Sequence, residues 1–365
     1  MKKTSILLCI ISLTLLSDLF PQQPKPVRIG IAGLTHGHVN GLLRVMDNEA
    51  FEIVGIAESN AELVDKLVNR FKFSRDLVYP SLEKMIQNTR PQAVAAFNST
   101  YEHLEVVEIC APKGIHVMVE KPLAVNMEHA SRMKKLVDKH KIMLITNYET
   151  TWYPTNHKAF DMVTEGKVGE IRKVVIHDGH AGPKEIGVGP EFFEWLVDPK
   201  LNGGGAITDF GCYGANLITW LMDGKKPLSV SSMTHTNKPE IYKVVDDEAT
   251  IILQYPKAQV VIQASWNWPF SRKDMEVYGQ TGTIFCDNHR ELRYRFSAQA
   301  PEDKMILEPR PYPYDNPYTF LAAVVKGDID VIPGDLSSLE NNLVVVEILD
   351  AARKSASEGK VVYLE

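Results

Sequence analysis

From residue 27 to residue 148 the chain alternates between two textures. Short apolar, β-branched runs are each followed by a segment with helical spacing. In order they read "VRIGIAGL", "HVNGLLRVMDN", "FEIVGIAE", "NAELVDKLVNRF", "PQAVAAFNST", "YEHLEVVEICAPKG", "IHVMVEKP", "NMEHASRMKKLVDKHK" and "IMLITNYE". Asn60 stands where it can cap one helix and Gly114 where it can close another. Parallel strands need a crossover, and a helix between each pair supplies it. The alternation therefore predicts an α/β fold: a parallel, doubly wound sheet over residues 25–148.

The texture then changes. "IRKVVIHDGH", "PLSVSSMTHTN", "DDEATIILQYP", "AQVVIQASWNW", "KDMEVYGQTGTIFCD" and "ELRYRFSAQ" are longer alternating runs, and "YPKAQ" joins two of them like a hairpin. They predict an open, mainly antiparallel sheet over residues 149–365, in an α+β domain. A glycine-rich helix would be inserted into it, and the long "SLENNLVVVEILDAARKSASEG" would pack on a sheet. Two domains suit 365 residues, 44% of them hydrophobic. A net charge of −6 argues against a nucleic-acid partner. Beyond the N-terminal segment, Cys110, Cys212 and Cys286 give neither a disulfide framework nor a metal spacing.

The N-terminus differs in kind. "MKK" precedes the apolar "ILLCIISLTLL", Ile6 to Leu16, which reads as a secretory signal peptide over residues 1–22, cut between Ser17 and Gln23. The run is too short to span a bilayer. The expectation is an exported chain, periplasmic or extracellular, with no membrane span after cleavage.

Four places could carry chemistry. In "GIAGLTHGHVNG", Gly33 opens a partial dinucleotide fingerprint in which Thr35 and His38 replace the later glycines. Thr35, His36 and His38 could meet a phosphate there. Glu58 ends the second strand, where an acid can hold ribose hydroxyls and favour NAD over NADP, or simply cap a helix. Glu120 and Lys121 in "VEKP" end the fourth strand, and open parallel sheets bind ligands beyond such ends. In "GGGAITDFGCY", Gly203 to Gly205 allow a flat ligand close to the backbone. Asp209 and Tyr213, four apart, would share a helix face. A lysine beside the phenol would lower its pKa and make Tyr213 a proton carrier. His177 and His180 share a run with no third ligand in the sequence, so no metal site is expected.

"AGLTHGH", "GIAE", "EH…GIHVMVEKPLAV" and "GGGAITDFGCYGANLITWL" together resemble the Gfo/Idh/MocA oxidoreductases, named for glucose–fructose oxidoreductase and inositol dehydrogenase. The resemblance covers nearly the whole chain beyond the signal segment. It implies a Rossmann domain, an open sheet domain used for homo-oligomer contacts, and bound NAD or NADP. It implies that Lys121 is the catalytic lysine and that Asp209 lies in the substrate site. Many members carry histidine where Tyr213 stands, whereas the glucose–fructose oxidoreductase branch has tyrosine, the pattern Tyr213 resembles. Asn98 and His103 match positions near the cofactor. Trp152, His180 and Trp195 could contact a sugar, or could equally be packing.

The expected activity is hydride transfer between a carbohydrate or cyclitol and a nicotinamide. Free dinucleotide is scarce outside the cytoplasm, so an exported enzyme would hold its cofactor tightly and recycle it. That allows paired oxidation and reduction of two sugars. It also allows a glycosidase that oxidises, eliminates, hydrates and reduces. A sugar-binding protein without catalysis is the remaining alternative.

Overall fold

The computed structural model describes residues 25–364. The expected signal segment lies outside them. The first half runs β1 (Val27–Ala32), α1 (Val39–Arg44), β2 (Phe51–Ala57), α2 (Ala61–Phe71), β3 (Val78–Tyr79), α3 (Leu82–Thr89), β4 (Ala93–Ala96), α4 (His103–Cys110), β5 (His116–Glu120), α5 (Met127–His140) and β6 (Leu144–Asn147). The strands form one parallel sheet in the order β3-β2-β1-β4-β5-β6, the doubly wound order of dinucleotide-binding domains. Asn60 caps α2 through the Leu63 N–H, and Gly114 closes the turn after α4 in the left-handed region. The strand and helix that periodicity misses are β3 and α3. β3 is two residues long, too short to show a period. α3 seats the buried Met85 over Gly30 and Gly55, where any Cβ would overlap its side chain.

The second half runs α6 (Pro154–Thr164), β7 (Ile171–Gly179), α7 (Pro190–Leu196), α8 (Ala206–Asp209), α9 (Gly211–Leu221), β8 (Ser229–His235), β9 (Glu248–Gln254), β10 (Gln259–Ser265), β11 (Arg272–Gly279), β12 (Thr283–Cys286), β13 (Glu291–Arg295), β14 (Asp303–Ile306), α10 (Pro317–Lys326), α11 (Leu339–Glu358) and β15 (Val362–Tyr363). Its nine strands are ordered β14-β13-β12-β11-β7-β10-β9-β8-β15. All neighbours are antiparallel except β7 and β10. "YPKAQ" is the hairpin between β9 and β10, whereas "KDMEVYGQTGTIFCD" folds back on itself as β11 and β12. Val174, Ile176, Ile251, Ile262 and Val277 point from this sheet onto α9, whose residues are all buried.

The halves share their C-terminal helices. Tyr318, Phe320, Leu321 and Val324 of α10 join Ile29, Phe51 and Phe97 in the core of the first sheet. α11 sends Leu339 and Val346 to the first half, and Val345, Ile348 and Leu349 to the second. Arg353 of α11 ties the segment after β5 to α8. It donates to the Val125 carbonyl at 2.8 Å and to Thr208 Oγ1 at 3.2 Å, and it pairs with Asp350. Asp350 in turn accepts the Met127 N–H at 2.8 Å. Arg353→Ala strands the Val125 carbonyl and is expected to cost about 1–3 kcal/mol, read as a lower thermal unfolding midpoint. An unchanged midpoint would show that this tie does not hold the halves together.

Candidate active site

The sheet order reverses between β1 and β4, and the crevice opens at that point. Gly33 turns the chain out of β1 at φ 77°, and a Cβ there would lie 2.8 Å from Asn98 Cβ. Only glycine gives both the positive φ and the close approach. The His36 N–H donates to the Phe97 carbonyl at 2.8 Å, which stitches the turn to the end of β4. Two hollows flank the turn. The smaller, 310 Å³, is lined by Gly33, Thr35, Glu58, Ser81, Asn98 and Glu102. The larger, 590 Å³, lies between the halves and is lined by Thr35, His36, His38, Lys121, His180, Asp209, Tyr213 and Lys273, among others. Thr35 borders both, so the hollows make one track across the turn.

That track suits a dinucleotide, with its adenosine half on the Glu58 side and its nicotinamide half toward Lys121. Asn98 Oδ1 is buried on the adenosine side without a partner, an acceptor waiting for a donor. Glu58 accepts the N–H of Leu34 at 2.9 Å and of Asn60 at 2.8 Å. Each carboxylate oxygen keeps a second lone pair for a ribose hydroxyl.

β5 carries Lys121 to the cleft, where its ammonium meets Asp209 at the end of α8. The amine donates to the Asp209 carbonyl at 3.1 Å and to Oδ1, while the Trp266 indole N–H donates to Oδ2 at 2.9 Å. Burial works against both charges, but their attraction outweighs it. It holds the Asp209 carboxyl below the usual carboxylate range and the Lys121 ammonium above its usual value. Asp246 organises the approach, accepting the Gly205 N–H at 3.0 Å and the Ile207 N–H at 2.7 Å.

Tyr213 lies one turn beyond, with the Lys121 amine 5.0 Å from its ring centre. The expectation that this cation would lower the phenol's pKa is not met. Burial, with Glu149 and Asp209 adding to it, pushes the pKa well above 10. Tyr213 is an O–H donor rather than a phenolate.

Sequence reasoning missed Lys273. Its amine sits 4.7 Å from the centre of the Tyr213 ring and pairs with Glu149. Burial opposes that carboxylate, yet Lys273 holds the Glu149 pKa down at about 2. A signal was present: in "RKDMEVYG", alternation puts Lys273 on the same face as the buried Met275 and Val277. Directly opposite on β7, Asp178 is fully buried with neither carboxyl oxygen partnered, and burial pushes its pKa well up.

The remaining candidates separate into cleft and wall. His180 lines the cleft, with Nδ1 accepting the Gly182 N–H at 2.9 Å. His103 is buried and does not line it. Its Nδ1 is 3.2 Å from the Leu123 carbonyl, its Nε2 has no partner, and burial lowers its pKa to about 4. Glu120 is also buried, 2.8 Å from His38 Nδ1 and accepting from Asn147 Nδ2 at 2.8 Å. The two tryptophans read as sugar contacts are placed elsewhere. Trp195 is buried against His36 and Phe192. Trp152 packs on Phe320 and donates to Asn147 Oδ1 at 3.0 Å, so it braces the Asn147–Glu120 contact. His177 and His180 do not converge. His177 contacts Asp274 at 3.0 Å, and Arg272 holds Asp274 with two bonds of 2.8 Å. Among the described residues two groups of three donors gather instead, His177 with Asp274 and Glu276, and His36 with His38 and Glu120.

A doubly wound sheet, an interdomain cleft and a buried lysine–aspartate pair define a two-domain protein of the dinucleotide-binding oxidoreductase type. Residues 27–148 match the family model described as oxidoreductase family, NAD-binding Rossmann fold. Residues 156–285 match the GFO/IDH/MocA C-terminal domain. The chain belongs to the Gfo/Idh/MocA family. It is 27% identical to D-xylose 1-dehydrogenase [NADP(+)] of Haloarcula marismortui over 59% of this chain, and spans about half of that relative, 52%. It is 24% identical to myo-inositol 2-dehydrogenase of Thermotoga maritima over 93% of this chain and 99% of that one. An inositol dehydrogenase homolog from Azotobacter vinelandii, complexed with NAD+, superposes with a TM-score of 0.80 at 18% identity, covering 93% of this chain and 98% of that one. Among the described residues no helix is long and apolar enough to cross a membrane.

Proposed function

We propose that the protein is an exported, nicotinamide-dependent oxidoreductase that acts on a carbohydrate or cyclitol and keeps its cofactor between turnovers. The observation that carries this reading is the buried Lys121–Asp209 pair, set beside Tyr213 at the nicotinamide end of the track. The relatives, a xylose and an inositol dehydrogenase, support the substrate class. The "MKK…ILLCIISLTLL" segment supports export.

Bound NAD would supply a hydride acceptor for the carbon that carries the reacting hydroxyl. Asp209, locked by Trp266, would aim the Lys121 amine at the hydroxyl oxygen; the hydroxyl proton would pass by way of the amine to the Asp209 carboxylate, and the ammonium would stabilise the negative charge that develops on the oxygen as that proton leaves. A preorganised cation in a buried site stabilises that charge. Tyr213 donates its O–H and His180 borders the same space, so a polyol finds several polar partners around the reacting carbon.

Reduced-nicotinamide absorbance on addition of aldoses or inositols tests the reading. Release of the aglycone from an aryl glycoside without a second sugar would move the assignment to the glycosidase chemistry. Neither signal, with no dinucleotide binding, would leave a sugar-binding protein.

Glu58 decides the cofactor. Its carboxylate would repel a 2′-phosphate, so NAD is expected to bind more tightly than NADP. Glu58→Ala is expected to move the NAD-to-NADP ratio of dissociation constants toward NADP by about tenfold, or about 1.4 kcal/mol. An unmoved ratio would remove Glu58 from cofactor selection.

A further inference from the structure

We propose that His36, His38 and Glu120 form a binding site for a divalent first-row transition-metal ion. The donor atoms of the three side chains all lie within 4.8 Å of one another. Such ions hold nitrogen and oxygen ligands at about 2.0–2.2 Å, so donors around one ion lie at most about 4.4 Å apart. Small side-chain adjustments close the set. His38 Nδ1 and Glu120 Oε2 are already 2.8 Å apart, the separation of neighbouring ligands. His36 Nδ1 accepts the His38 N–H at 3.1 Å, so it turns a lone pair, not an N–H, to that side. On binding, the ion takes over that lone pair and replaces the proton shared by His38 and Glu120, which leaves to solvent.

The surroundings are built for it. The far oxygen of Glu120 is held by Asn147, and Asn147 by the Trp152 indole, the kind of outer contact that orients a ligating carboxylate. Asp209 neutralises Lys121, a cation that acts on His36. His36 and His38 line the cleft while Glu120 lies behind them, so the open coordination positions face the 590 Å³ space. Two imidazoles and one carboxylate with open positions are the ligand set of catalytic zinc and non-haem iron sites. The site's existence does not depend on the dinucleotide reading.

The test is cobalt(II) titration of chelator-stripped, tag-free protein, read by visible d–d absorption. One equivalent is expected to bind. His38→Ala and Glu120→Gln are expected to abolish the signal, and His235→Ala, at an exposed histidine, to leave it intact. Asn147→Ala, which removes no ligand, is expected to weaken binding by about 10–100-fold, and circular dichroism checks that each variant folds. No uptake, or uptake kept by His38→Ala and Glu120→Gln, overturns the site. NADH fluorescence titration of the metal-free protein scores the dinucleotide reading separately.

Discussion

Replacing Lys121 by alanine is expected to lower turnover by about 10²–10⁴-fold while the dinucleotide stays bound, since the glycine turn and Glu58 remain. The substitution also leaves Asp209 as a buried carboxylate without its cation. Breaking a buried pair in this way costs about 3–5 kcal/mol. Activity and thermal stability should therefore be measured together, with Lys121→Arg as the variant that keeps the charge but not the point geometry. The same pair sets an acid limit. The Asp209 carboxyl is held below its unfolded value, so its contribution is fully present above that value. It is lost as pH falls through the folded value. In Lys121→Ala burial acts on the carboxyl without its cation and raises its pKa, so the Asp209 part of the acid-side loss of stability is expected to vanish or change sign. Wild-type turnover in Lys121→Ala would refute the lysine's role.

Gly205→Ala is expected to be the most damaging single methyl in the molecule. Its Cβ would lie 1.8 Å from the Asp246 carbonyl oxygen, inside any allowed contact and against backbone rather than a movable side chain. The loop must shift, and overpacking of this kind costs about 1–3 kcal/mol or more. The shift falls where Asp246 accepts the Gly205 and Ile207 N–H groups, and Asp209 follows within the same short helix. Turnover should fall with stability. Gly224→Ala is the comparison: its Cβ meets nothing within 4 Å, and only its φ of 72° opposes the change. Equal losses in the two variants would show that the Asp246 contact does not decide the outcome.

The first domain was legible because each of its long strands ends in a turn and leads toward a helix; two of these helices, α2 and α5, carry an asparagine cap. The exceptions, β3 and α3, sit on a two-residue strand. The open sheet was legible from alternation, but the parallel β7–β10 pairing was not, because period two carries no strand direction. Domain limits read along the chain also hide the return of α10 to the first sheet, since an apolar helix does not state which core it fills.

The sequence places Lys121 and Asp209 on suitable element ends, and the fold brings them into contact. Tyr213 is where spacing puts it, but its titration depends on burial, which four-residue spacing does not report. Trp152 and Trp195, which the sequence left open between sugar contact and packing, are packed on Phe320 and on His36 and Phe192, because an aromatic residue near the site can face the cleft or the wall. His36, His38 and Glu120 could not be joined from sequence, because the strand crossing that unites them spans 82 residues between His38 and Glu120.

The central claim is that the cleft between the halves seats a nicotinamide ring against Lys121 and Tyr213. A crystal structure of the protein grown with NAD+ tests it most directly. The account predicts adenosine beside Glu58, pyrophosphate across Thr35, and the ring within contact of the lysine and the phenol. Dinucleotide bound elsewhere, or a ring turned away from both side chains, would contradict it.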